Sequence, residues 1–126
     1  MKIGYSKLNG KGWAGQYVYD DGRRLVGVEV EQQCCEGFAS FIWSDEEGFD
    51  EASAVFAEPF KEDYRVPDEA LAKAYEFLEE ISHVAYHLVD GQGRKGLLVI
   101  ANQHNGYYAH SYAAYEDGQM VESGAV

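Results

Sequence analysis

The sequence predicts an α+β fold: a mainly antiparallel β-sheet with one amphipathic helix packed on it. Three observations carry this. Short runs rich in β-branched and aromatic residues recur along the chain, bounded by Asp-Gly and Asn-Gly pairs. One run, Leu25 to Glu31, alternates cleanly, with Val26, Val28 and Val30 on one face and Glu29 and Glu31 on the other. One stretch alone, over about 67–81, repeats apolar residues at helical spacing: Leu71, Ala74, Tyr75, Leu78 and Ile81.

Taken in order, Lys2 to Leu8 reads as a first strand and Trp13 to Tyr19 as a second, followed by a hairpin turn at Asp20-Asp21-Gly22. After the alternating strand, Gln32 to Glu36 interrupts the pattern, and Gly37 to Trp43 resumes it as a strand. Ser44 to Glu51 is an acidic loop. Ala52 to Ala57 is short, apolar and fits either class, and Pro59 closes it. Val66-Pro67-Asp68-Glu69 has the marks of a helix start, with an early proline and acids in the first turn. Val84, Tyr86 and Leu88 alternate with His83, Ala85 and His87 as a strand, and Asp90 to Gly96 is a turn. Gly96 to Asn102 is apolar enough for a buried strand. Asn105-Gly106 supplies a tight turn into a strand over Tyr107–Glu116, and Glu116-Asp117-Gly118 turns the chain into a last strand near Met120-Val121-Glu122. The expected core includes Val26, Val28, Val30, Phe41, Leu71, Leu78, Val99 and Ile100.

The 126 residues, 46% of them hydrophobic, suit a single domain over 1–126 with a real core. No apolar run reaches membrane-spanning length, and the N-terminus lacks the long apolar segment of a secretion signal, so a cytoplasmic protein without membrane contact is expected. The only cysteines, Cys34 and Cys35, are adjacent and cannot staple distant strands, which agrees with a reducing compartment.

The net charge of −12 is unevenly spread. Between Asp45 and Glu80, thirteen acids face three bases, giving −10, whereas the remainder carries −2. Such a chain is not expected to bind nucleic acid directly. It suits a basic protein surface, with Asp45, Glu46, Glu47, Asp50 and Glu51 as the candidate partner-binding residues.

A second candidate is the segment around Asn105-Gly106. On a strand, Tyr108, His110 and Tyr112 share a face that could stack on a flat ligand, and Asn105 and Tyr107 could add polar contacts. Arg94 and Lys95 could meet a phosphate. This would make a nucleotide or small-molecule binding module, in effect a ligand sponge.

Catalytic signatures are wanting. The chain has no nucleophile elbow, phosphate-binding loop, dinucleotide fingerprint or HExxH helix. Cys34 and Cys35 point to opposite faces of a strand, and His83 with His87 alone does not make a metal site, so no cofactor and no metal are expected. The histidines sit on different strands with no spacing that forces convergence. Neither a cysteine nor a carboxylate is therefore expected within hydrogen-bond reach of a histidine, as a Cys/His metal-dependent enzyme would need.

Two islands of the chain together resemble a known family. One is the Asp-Gly turn, the alternating strand and Cys34-Cys35-Glu36 before a further strand. The other is the Gly96 strand followed by Asn105-Gly106-Tyr107-Tyr108 and Ser111. The order, over roughly 20–45 and 84–116, is similar to a family of small phage-encoded proteins of unknown function. His104 and Ala109 depart from its pattern, which has serine at both places, and the segment 67–81 looks like an insertion. The resemblance implies phage origin and action in the host cytoplasm. By analogy of size and charge, it implies a non-enzymatic, counter-defence (anti-CRISPR-like) inhibitor of a host factor.

Overall fold

The computed structural model describes residues 1–7, 15–29, 37–103 and 109–126. Two antiparallel sheets pack face to face. The first has the order β1-β2-β3-β8-β9, from Lys2–Lys7, Gly15–Asp20, Arg24–Glu29, Ser111–Glu116 and Gln119–Ala125. The second has the order β4-β7-β6-β5, from Gly37–Trp43, Lys95–Gln103, Ile81–Val89 and Val55–Phe56. A 3-10 turn, Glu51–Ser53, precedes β5, and one short helix, α1, covers Asp68–Leu71.

Alternation explains which face each strand buries. Tyr19, Val26, Val28, Tyr112 and Ala114 of the first sheet meet Val84, Tyr86, Leu88, Leu98 and Ile100 of the second in the main core. Each fully buried side chain of this kind contributes about 1.5–3 kcal/mol. The opposite face of the second sheet is also covered. There Ala85, Leu97, Val99 and Ala101 pack under Val66, Ala70, Leu71 and Tyr75. Residues buried on both faces account for the near-continuous apolar reading of β7. Asp117 and Gly118 both adopt positive φ, 51° and 81°, as a hairpin of this handedness requires.

The expected helix over 67–81 is not there; α1 holds four residues, and its last backbone hydrogen bond of α-helical span runs from Tyr75 N–H to Leu71 O. The chain has to leave the helical path before Ile81, and Glu80 adopts a positive φ of 56° there. Gln103 Nε2 donates to Phe77 O at 2.8 Å and to Glu79 O at 2.9 Å, and the chain must be extended from Ile81 to pair with β7. A helix with only Ala70, Leu71 and Tyr75 to bury gains too little packing to overcome this. Leu78, expected in the core, is 39% exposed, and Phe77 is 68% exposed. Val26, Val28, Leu71, Val99 and Ile100 are buried as expected, Phe41 is half-buried, and Val30 lies outside the described residues. Among the described residues no helix is long and apolar enough to cross a membrane.

Candidate functional site

The acidic loop after β4 is held from both sides. Glu46 Oε2 accepts the Lys95 N–H at 2.5 Å, and Ser44 Oγ donates to Lys95 O at 2.6 Å. Asp50 Oδ1 caps the 3-10 turn by accepting from Ala52 N–H at 3.1 Å. The Asp50 N–H in turn donates to Asp90 Oδ2 at 3.0 Å. Asp90 is buried, which alone would raise its pKa. Backbone N–H groups of Asp50, Arg94 and Gln92 outweigh this and hold it below the ordinary carboxylate range, so it stays ionised. The terminal amine of Met1 donates to Glu51 O and Ala52 O at 3.1 and 2.8 Å. Phe49 inserts against the main core, where only a glycine at position 96 leaves room for its ring.

The five acids expected to meet a partner therefore divide. Glu46 and Asp50 hold the loop in shape. Asp45, Glu47 and Glu51 are exposed and make no side-chain hydrogen bond or ion pair among the described residues. The reason is local: Glu46 lies opposite the start of β7, and Asp50 precedes the turn that it caps.

The proposed stacking face of the later hairpin is placed differently from expectation. Asn105, Tyr107 and Tyr108 lie outside the described residues. His110 and Tyr112 are 2% and 3% exposed and face the core, so their rings are not available as a surface platform. His110 Nδ1 donates to Glu29 O at 2.8 Å, and its ring stacks on Phe38 at 4.2 Å. Ala114, on the same side of β8, is fully buried too, since this face closes the sandwich. Cys34 and Cys35 also lie outside the described residues, and among those described no group of three or more potential ligands could hold a metal.

Sequence reasoning missed the strap over 57–65, which runs along the free edge of β6 and across to β9. Ala57 N–H donates to His87 O, Asp63 and Ala85 exchange backbone hydrogen bonds, and Glu62 N–H reaches Glu122 Oε1 at 2.7 Å. A polar seam follows. Tyr86 donates to Glu122 and Tyr64 to Glu62, each at 2.6 Å, and Tyr112 donates to the other oxygen of Glu62. Burial, then the carboxylate acceptors, push the hydroxyls of Tyr86 and Tyr112 far above the ordinary tyrosine range, so both remain donors.

On the outer side of the strap, His87 Nε2 lies 2.8 Å from Asp63 Oδ2, and Arg65 forks onto the same carboxylate at 3.1 and 3.2 Å. This overturns the expectation that no carboxylate would reach a histidine. The pair is 24 residues apart and is brought together by backbone pairing that side-chain spacing does not reveal. Arg65 first, then His87, hold Asp63 far below the ordinary carboxylate range. Asp63 is thus ionised and can only accept, so His87 Nε2 carries the hydrogen between them, and Nδ1 has no protein partner among the described residues. The ring is 50% exposed, at the junction of two cavities of about 360 and 540 Å³. Close by, Arg24 is buried between Glu116, at 2.6 Å, and Glu58, with its guanidinium 5.2 Å from the centre of the Phe60 ring.

No family model, curated protein or solved structure matches the chain. The functional reading therefore rests on the geometry above. That geometry offers a braced acidic loop, a carboxylate-bound imidazole beside two cavities, and a partly buried tyrosine–carboxylate seam.

Proposed function

We propose that the chain is a non-enzymatic interaction protein whose acidic loop engages a basic surface on a protein of the host cell. The observation that carries this is the bracing of the loop. A surface that only confers solubility needs no fixed geometry. This loop is tied to β7, to Asp90 and to the terminal amine while Asp45, Glu47 and Glu51 stay exposed. Pre-ordering lowers the entropy lost on binding, and a patch of one sign steers an oppositely charged partner. The family resemblance gives the setting, a phage protein acting against a host factor.

The test is capture of the partner from host-cell lysate at low and high salt, with the native chain and with a Asp45→Lys, Glu47→Lys, Glu51→Lys variant. Capture should weaken with salt and be lost on charge reversal. Equal recovery by both proteins refutes the assignment of this loop.

A further inference from the structure

Four of the ten Lys and Arg residues of this acidic chain, Arg24, Lys61, Arg65 and Lys95, line the two cavities that meet at His87. The carboxylates in the same walls are engaged. Asp63 is held by Arg65 and His87, Glu62 by Tyr64 and Tyr112, and Glu58 by Arg24. Lys61 and Lys95 have no ion-pair partner among the described residues. Local charge therefore runs against the −12 of the whole.

We propose that the two cavities form one binding site for a small organic anion of mononucleotide size, with a hydroxyl near its charge and a flat apolar body. This goes beyond the protein-partner reading and does not depend on it.

Each part of the ligand has a counterpart. The unpaired ammonium groups of Lys61 and Lys95 take the anionic group. His87, with Nε2 committed to Asp63, leaves Nδ1 to hydrogen-bond the hydroxyl, and no protein group among the described residues occupies it. Ala57, Pro59 and Val89, backed by Phe56 and Leu88, wall the larger cavity for the apolar body. The volumes, about 360 and 540 Å³, fall in the range that holds such molecules, about 300–1,000 Å³. The division of labour follows ordinary recognition: the apolar wall supplies affinity, and the few polar groups fix orientation. Asp63 acts as a positioning residue, since it holds the His87 ring by Nε2.

The test is calorimetric titration of the full chain with adenosine monophosphate, benzoate and inorganic phosphate. Adenosine monophosphate should bind most tightly. Benzoate, lacking the hydroxyl, and phosphate, lacking the apolar body, should each be weaker by about tenfold or more. Lys61 is exposed and unpaired, so Lys61→Glu should keep the melting temperature of the free protein while weakening adenosine monophosphate by about tenfold. His87→Ala should reduce the preference for adenosine monophosphate over benzoate. The proposal is overturned if the nucleotide gives no heat and no melting shift at millimolar concentration. It is equally overturned if phosphate binds as well as the nucleotide, or if both variants bind like the native chain.

Discussion

A methyl group added at Gly96 should unseat the acidic loop. An ideal Cβ there would stand 2.7 Å from Phe49 Cζ, 2.9 Å from Cε2 and 3.1 Å from Cε1, well inside van der Waals contact. Gly96 lies in β7 opposite Leu88 of β6 and one residue before the pairing with β4, so its backbone has little freedom to yield, and Phe49 must leave. Phe49 is partly buried, so its expulsion forfeits part of an aromatic burial, about 1–2 kcal/mol. That agrees with the usual cost of overpacking, about 1–3 kcal/mol. For a domain of this length, the melting temperature should fall by about 3–10 °C. Urea denaturation of Gly96→Ala, Phe49→Ala and the double variant gives the decisive measurement. Once Phe49 is Ala, the added methyl meets no ring, so the two changes should be coupled by about 1–2 kcal/mol rather than add. If Gly96→Ala costs the same in both backgrounds, or under about 0.5 kcal/mol in the native one, Phe49 is not what fills that space.

Three further outcomes are expected. Glu116→Gln leaves the buried Arg24 guanidinium with Glu58 alone and should destabilise the fold by about 2–3 kcal/mol in denaturant titration. The lowered pKa of Asp63 stabilises the fold above its unfolded value of about 3.8, and this contribution is lost as pH falls below that value; Asp63→Asn should flatten the acid limb of a stability–pH curve. Burial raises the Tyr75 hydroxyl to about 12, so its contribution is complete below pH 10 and lost on going up through 12; Tyr19, Tyr86 and Tyr112 are also raised and add to the loss above pH 10. Tyrosinate absorbance and unfolding should then rise together in that window, and Tyr75→Phe should lessen the effect.

The strands were legible because their signal is local. Gly37–Trp43 is bounded in the structure as the sequence predicts, and the alternation over Leu25–Glu29 places Val26 and Val28 in the core. The helix was misread because periodicity over 71–81 says nothing about Gln103, whose amide takes the carbonyls of Phe77 and Glu79. His110, just before β8, and Tyr112 within it were visible as one face, but period-2 alternation does not say which face turns inward when the other is lined with Ala and Ser. The strap and the Asp63–His87 pair left no periodic trace at all. They depend on an irregular segment pairing with the edge of β6, and on carboxylates whose partners lie 24 to 60 positions away.

The order of the first sheet has a bearing on how the chain reaches its fold. β3 pairs with β8, Arg24 opposite Glu116, so the whole of the second sheet lies within the loop that this pairing closes. Strands β4 to β7 can associate among themselves once 37–103 is available, whereas β1 to β3 can form a meander that is bare on one edge until β8 arrives. Closing so long a loop is entropically costly and slow compared with forming hairpins. During synthesis, the edge of β3 stays unpaired until β8 emerges, and an unpaired edge of that kind invites association with another chain. The strongly acidic middle segment emerges before that edge is sealed, and like charges on neighbouring copies repel each other through that interval.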